Sequence, residues 1–451
     1  MAKKDRQFVC SNCGAMSSSW SGRCSMCGEW NTFEEQPTLD AVAAKTKRSG
    51  SKLKAESLTQ AQQADVTRIS TNIAEVDGVL GGGLVPGSVN LIAGQPGIGK
   101  STLLMQLAQQ VSRSVSTLYI SAEESAHQVA GRAARLGGKD TPLALATSSS
   151  ANDIAATIMA GDYKLVIVDS VQMIAADDIA SAAGSVSQIT MSTQLLTLAA
   201  KQSNTALIIV GHVTKEGSIA GPKVLEHVVD VVLQLEGDRY GGFKVLRAVK
   251  NRYGSTNEAG IFEMKEDGLI PVDNPSAALL EERQISDGSV VLATLEGTRP
   301  VLVEVQALVN RTSYGYPKRA ASGYDLNRLN LLVAMLEKRT KLNLAEHDIY
   351  INIVGGIKIT EPAADLAIAM AIGSATKGLQ LQKNLVVFGE VGLLGEVRHV
   401  PHADKRLAEA KKLGFTGAIG PATKGLTAAQ QKQLHVAKDV RTALNEFLEK
   451  S

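Results

Sequence analysis

Residues 88–102 read SVNLIAGQPGIGKST, and their order decides the fold. SVNLIAG (88–94) is an apolar run of strand length. Gly94, Gln95, Pro96, Gly97, Ile98, Gly99, Lys100, Ser101 and Thr102 fit G-x4-G-K-[ST]. KSTLLMQLAQQVSR (100–113) then carries apolar residues at helical spacing. Strand, glycine-rich loop and helix in that order make a phosphate cradle. Gly94, Gly97 and Gly99 let backbone N–H groups turn toward phosphates. Lys100 is placed to reach the β- and γ-phosphates, and Ser101 to ligate Mg²⁺. ATP and Mg²⁺ are therefore expected.

Outward from the loop, strand-like runs alternate with helical ones. The strands are STLYIS (116–121), PLALAT (142–147), KLVIVDS (164–170) and TALIIVGH (205–212), and SQITMSTQLLTLAAKQS (187–203) is one of the helices. Near-continuous Val/Ile/Leu strands alternating with helices predict an α/β fold with a mostly parallel sheet covered on both faces. VVDVVLQLEG (228–237), GFKVLRAVKN (242–251) and GIFEMKEDG (260–268) read as further strands added at one edge. Asp169 ends the strand LVIVD, where an acid anchors Mg²⁺. Ser170 follows it, so the base that orients the attacking water must come from elsewhere. Glu123 and Glu124 in YISAEES (119–125) lie on the same carboxyl edge and are candidates; they could instead be acids at the next helix start. His212 ends its strand at that edge, as a packed residue or a γ-phosphate sensor. KNRYG (250–254) places Lys250 and Arg252 about 150 residues past the loop.

All four cysteines lie in CSNC (10–13) and CSMC (24–27), spaced C-x2-C-x10-C-x2-C. Two knuckles of this kind suit tetrahedral Zn²⁺ held by Cys10, Cys13, Cys24 and Cys27. Gly14 and Gly28 follow each pair where a tight turn needs a permissive backbone. Trp20, Trp30 and Phe33 are expected to pack over the metal. The closed site is structural, and the spacing leaves open whether the finger also touches DNA or a partner.

The 451 residues suffice for about three domains. A net charge of +2 gives no global sign of nucleic-acid binding, which must be argued from local patches. No signal-like h-region follows MAKKDRQFVC and no apolar run approaches membrane length, so a cytoplasmic chain with no membrane partner is expected. Residues 38–64 are small, polar and basic, and a solvated linker explains them more simply than a DNA-binding arm. From about 285 a second α/β unit begins. Its strands include SVVLATLEG, LVEVQALV, DIYINIVGG and NLVVFGEV, and its helices RLNLLVAMLEKRT and PAADLAIAMAIGSA. NRTSYGYPKRAASGYDLNRL (310–329) concentrates Arg311, Lys318, Arg319 and Arg328 with Tyr314, Tyr316 and Tyr324. That suits a nucleic-acid surface, or a solvated basic loop.

LGGGLVPGSVNLIAGQPGIGKST, YISAEES, VIVDS, GHVTKEG and KNRYG resemble the RecA-like ATPases and, more narrowly, the bacterial RadA (Sms) family of recombination proteins. With the cysteine module and the C-terminal unit, the resemblance covers nearly the whole chain. That family usually has Phe where Tyr253 stands. The resemblance implies a four-cysteine zinc finger at 1–34, a flexible basic linker at 35–65, a RecA-like P-loop ATPase domain at 66–271 and a Lon-protease-like α/β domain at 272–451. It makes Glu123 the water-activating base and His212 the γ-phosphate sensor. Lys250 and Arg252 fall where RecA proteins have lysines reaching into the adjacent subunit's ATP. Residues 171–188 and 213–227, the latter with Lys215 and Lys223, take the places of the two DNA-binding loops.

In the C-terminal unit Ala363 falls at the nucleophilic Ser position of Lon and Asp404 at its Lys position, with Lys405 adjacent. Without an alcohol or thiol nucleophile no acyl-enzyme forms, so peptidase activity is not expected. The resemblance thus implies a DNA-dependent ATPase, helicase-like and hexameric. It would bind single-stranded and branched DNA and extend recombination intermediates with RecA. The alternative is an ATP-switched DNA-binding scaffold without motor activity.

Overall fold

The computed structural model describes residues 7–17, 19–36, 67–138, 140–212, 224–237, 242–313 and 315–450. The linker, Lys215 and Lys223 lie outside the described residues. At the N-terminus β1 (Gln7–Cys10), β2 (Met16–Ser17) and β3 (Phe33–Gln36) form an antiparallel ribbon in the order β2-β1-β3. Its small core is Cys10, Cys24 and Phe33. Trp20 and Trp30 do not join it: they are exposed, and the Arg23 guanidinium lies over the Trp30 ring. The expectation for Phe33 holds, but so short a ribbon has no apolar face large enough to bury two indoles.

The chain divides into two compact units: one of residues 1–236, which includes the ribbon, with 246–256 and 265–270, and one of residues 237–245, 257–264 and 271–451. The larger sheet has nine strands. They are β4 (Val89–Gly94), β5 (Thr117–Ser121), β6 (Ala144–Thr147), β7 (Leu165–Asp169), β8 (Ala206–His212), β9 (Val231–Gly237), β10 (Phe243–Asn251), β11 (Ala259–Lys265) and β12 (Gly268–Pro271). Their order is β12-β11-β10-β9-β4-β8-β7-β5-β6. The six strands from β9 to β6 are parallel, as the doubly apolar runs predict. Helices 151–160 and 186–203 cover one face, packing Ile154, Ile158 and Leu196 against Leu91, Val166 and Ile209. Fully burying each such side chain is worth about 1.5–3 kcal/mol, which fixes the register. One strand is shorter than expected: residues 224–228 form a helix, so β9 begins at Val231 rather than at 228.

The register sets the edges. Gly94 pairs with His212 on one side and Leu235 on the other, and Asp169 pairs with Ser121. The carboxyl edge of the sheet therefore gathers the phosphate loop, His212, Asp169 and the turn carrying Glu123.

The C-terminal unit contains β13 (Ser289–Glu296), β14 (Arg299–Arg311), β15 (Arg319–Ser322), β16 (His347–Ile353), β17 (Gln380–Leu381), β18 (Leu385–Val387), β19 (Glu390–Val391), β20 (Val397–Arg398), β21 (Gly417–Gly420), β22 (Leu434–Val436) and β23 (Leu448–Glu449). Seven of these make a mixed sheet, β15-β16-β14-β13-β18-β21-β22. Helix 365–377 is its core element, with Leu366 to Ser374 all buried. It starts three residues later than PAADLAIAMAIGSA suggests, because Pro362–Ala364 form a 3-10 turn. Gly373 lets helix 440–446 approach: a Cβ there would stand 2.3 Å from Leu444 Cδ2.

Candidate active site and metal centre

The phosphate loop leaves β4 at Gly94, where a Cβ would meet the Leu235 carbonyl at 2.6 Å. Gly99, with φ 114°, turns the chain into helix 100–112. The free N–H groups and positive dipole end of that helix face the loop. Lys100 is buried and donates from Nζ to the carbonyls of Gly94 (2.8 Å) and Gln95 (3.0 Å). Burial pulls its pKa down to about 8, against the upward pull of Asp169 and Glu123. The ammonium is thus held by neutral partners that phosphate oxygens can replace.

Asp169 is buried at the end of β7, and the Tyr119 phenol donates to its Oδ2 at 2.6 Å. Burial, followed by the neighbouring Asp169 charge, pushes the Tyr119 phenol far above its usual range, so it remains a donor. Sequence reading missed Tyr119, which points its hydroxyl at the carboxylate expected to anchor Mg²⁺. The two candidate bases separate here. Glu123 Oε1 accepts from Ser170 Oγ at 2.6 Å, beside Asp169. Glu124 instead pairs with Arg132 at 2.7 Å. Neither caps helix 126–135; Ser125 does, in a capping box with Gln128. His212 closes β8 opposite Gly94.

KNRYG lies at the other edge. Asp230 stands just before β9, and its backbone N–H donates to Val89 O at the start of β4 (2.9 Å). Arg252 N–H donates in turn to Asp230 O (3.2 Å). Lys250 Nζ donates to Glu226 O and to Val229 O, the latter at 2.8 Å. Arg252 pairs with the Asp230 carboxylate at 3.0 Å. Burial first, then the Arg252 charge, lowers the pKa of Lys250. Val89 and Gly94 bound the six residues of β4, so about 17 Å separates this edge from the phosphate loop. Neither cation reaches the loop of its own chain. Asp230 gave no sequence signal beyond being an acid inside VVDVVLQL.

In the ribbon, the ligand atoms of Cys10, Cys13, Cys24 and Cys27 lie within 4.8 Å of one another. Cys10 Sγ is 3.7 Å from Cys27 Sγ, and Cys13 Sγ is 3.5 Å from Cys24 Sγ. Four sulfurs at about 2.3 Å from one tetrahedral Zn²⁺ stand about 3.8 Å apart, so the donor set fits the ion. Gly14 N–H donates to Cys10 O and Gly28 N–H to Cys24 O, closing both knuckles.

Residues 8–35 match the model described as rubredoxin metal binding domain, 54–218 that of an AAA domain, and 330–424 that of subunit ChlI of Mg-chelatase. The DNA repair protein RadA of Halalkalibacterium halodurans is 48% identical over 428 residues, 93% of each chain. That of Bacillus subtilis is also 48% identical, over 94% of this chain and 93% of its own. The chain belongs to the family of DNA repair protein RadA. It has that family's RecA-like P-loop ATPase core, which takes ATP and Mg²⁺, a zinc-binding four-cysteine ribbon, and a ChlI/Lon-like C-terminal domain. A solved structure of the RadB recombinase covers 46% of this chain and all of its own, at 20% identity and a TM-score of 0.36, a likeness too loose to carry an argument.

Structure also sorts the remaining expected contacts. Loop 171–188 is knitted by Gln188, whose side chain bonds Ala176, Ile179 and Ser181. It contains Asp177 and Asp178 and no Lys or Arg, so phosphate contacts there would come from backbone N–H groups and hydroxyls. The basic stretch divides. Tyr324 is buried on Asp365, and Arg328 forks onto the same carboxylate with two 2.6 Å bonds. The buried Tyr324 is thereby removed from the surface expected at 310–329, whereas the Arg328 side chain keeps 33% exposure. Arg311 and Tyr316 are exposed, Arg311 pairing with Glu346 at 3.4 Å. The backbone of Lys318 bonds Asp348, and Arg319 reaches Asn330 at 3.4 Å.

Ala363 is buried in the 3-10 turn. Beside it Glu361 accepts from Arg406 (2.9 and 2.7 Å), Thr294 (2.5 Å) and Leu295 N–H (2.9 Å). Asp404 uses its carbonyl on Gln430, and Lys405 donates to Thr298 O. Among the described residues no helix is long and apolar enough to cross a membrane.

Proposed function

We propose that this chain is an ATP-dependent DNA motor in recombination and repair, hydrolysing ATP between subunits of a hexameric ring. In this reading Lys100 and Ser101 hold the nucleotide and Mg²⁺, with Asp169 as the metal's carboxylate. Glu123 orients the attacking water, and His212 senses the γ-phosphate. Lys250 and Arg252 of one subunit stabilise charge on the phosphoryl group held by the next. Single-stranded DNA lies along loops 171–188 and 213–227, with Lys215 and Lys223 on phosphates and Arg311, Lys318 and Arg319 as outer contacts. Branched recombination intermediates are the substrate, and RecA, which forms them, is the partner in the cytoplasm. The C-terminal domain is a scaffold without peptidase chemistry, because Ala363 offers no nucleophile.

One observation carries the reading. The phosphate loop sits at the carboxyl edge of the sheet and KNRYG at the amino edge. A head-to-tail neighbour is the arrangement that lets both serve one ATP, and such an interface closes into a ring. The test is steady-state ATP hydrolysis with and without single-stranded DNA, run beside extension of a three-strand intermediate. Strong stimulation by DNA, with extension lost in Lys100→Ala, is expected. Slow hydrolysis indifferent to DNA would instead favour the ATP-switched scaffold.

A further inference from the structure

We propose that Asp230 is the positioning residue that presents Arg252 and Lys250 to a neighbouring subunit's nucleotide. The inference rests on the reading of KNRYG as acting in trans. The Asp230 side chain is 2% exposed. Oδ2 accepts from Val89 N–H at 3.1 Å. Oδ1 lies 3.0 Å from Arg252 and 3.3 Å from Lys201 Nζ. The Tyr253 phenol is a further partner. A carboxylate this deep is tolerated only when its lone pairs are filled, and here the fillers include KNRYG itself.

The anchoring is rigid at one end and open at the other. Val89 belongs to β4, the strand that carries the phosphate loop, so Asp230 is tied to the centre of the sheet. Arg252 faces Asp230 with one of the five N–H donors of a guanidinium, and its side chain is 52% exposed. The rest of the fork faces solvent. Lys250 gives two of its three N–H donors to Glu226 and Val229 carbonyls, in the same short run that ends at Asp230. Residues 226–230 therefore form one platform: carbonyls hold the ammonium, and the carboxylate holds the guanidinium. Fixing both cations before a phosphate arrives removes the reorganisation that two long side chains would otherwise undergo. Lys201 neutralises the same carboxylate from helix 186–203 without belonging to KNRYG, which separates positioning from mere charge balance.

The test uses full-length chain with single-stranded DNA, measuring steady-state hydrolysis, affinity for a fluorescent ATP analogue, and melting temperature. Asp230→Asn should lower kcat about tenfold or more while KM and analogue affinity stay within about twofold. Mixed equally with Lys100→Ala it should recover part of the rate: its own loop is intact, and the partner variant supplies an intact KNRYG. Mixed with Arg252→Ala it should recover nothing, since both lack the same half of the site. Lys201→Met should keep the rate within about twofold. If Asp230→Asn fails to fold, Asp230→Glu carries the same mixing test with the charge kept and the arm lengthened.

The proposal is overturned if Asp230→Asn hydrolyses at the wild-type rate, or if Lys201→Met loses as much rate. It is also overturned if Asp230→Asn gains no rate from mixing with Lys100→Ala while Arg252→Ala does. Should that last control pair itself stay inactive, the reading in trans has failed and this proposal falls with it.

Discussion

The carboxyl edge of the ATPase sheet and the turn around Ala363 both gather buried charge beside the start of a helix, and they treat it in opposite ways. At the first, Lys100 is held by two carbonyls and Asp169 by a phenol. At the second, Glu361 is locked by Arg406, and Asp365 by Arg328. Charges met by neutral partners can exchange them for a ligand. Carboxylates gripped by both arms of a guanidinium fork are spent on the fold, unlike Asp230, which takes a single bond from a half-exposed Arg252. The first region is arranged for chemistry and the second for stability.

The sharpest way to break this contrast is to remove one cation from each region. Lys100→Ala should cut ATP hydrolysis by about a thousandfold or more and leave the melting temperature nearly unchanged. Arg406→Ala should do the reverse. Arg406 is fully buried and Glu361 keeps some solvent, so the loss should be about 3 kcal/mol, the lower end for a broken buried pair. Denaturant melts beside rate measurements check both. A stability loss in the first variant, or a rate loss without unfolding in the second, would blur the division.

Tyr119→Phe sharpens it further. Removing the phenol takes a donor from Asp169 without adding charge, and should lower hydrolysis about tenfold, with partial rescue by raised Mg²⁺. Mg²⁺ titrations of the rate would read this.

The effect of pH is graded. Lys100 titrates near 8 in the free site against an ordinary 10.5. The unfolded chain binds the extra proton between those values, so this group adds stability as pH rises from 8 toward 10.5. ATP acts the other way: phosphates favour the ammonium, so binding takes up a proton above pH 8. ATP affinity should fall by up to about tenfold per pH unit there and be flat, for this group, below it. Proton uptake measured calorimetrically in two buffers would check the sign.

Much of this was legible in the chain. SVNLIAGQPGIGKST, LVIVD and the paired CxxC knuckles are local patterns, and local chemistry determines them. Asp230, Tyr119 and the Glu361–Arg406 pair were not legible, because each acquires its role from a partner far along the chain. Asp230 meets Arg252 and Lys201, Tyr119 meets Asp169 across one strand pairing, and Glu361 meets Arg406 over 45 residues. No periodicity encodes those meetings. Trp20 and Trp30 misled for the opposite reason: their size suggested a core that the three-stranded ribbon is too small to provide.

In the proposed mechanism one ATP is served by two chains. The most direct measurement is DNA-stimulated hydrolysis by Lys100→Ala and Arg252→Ala, each alone and in equal mixture. Each alone should be nearly inactive, and the mixture should regain a substantial fraction of the wild-type rate, because some interfaces then pair an intact loop with an intact KNRYG. A mixture as inactive as its components would contradict the claim.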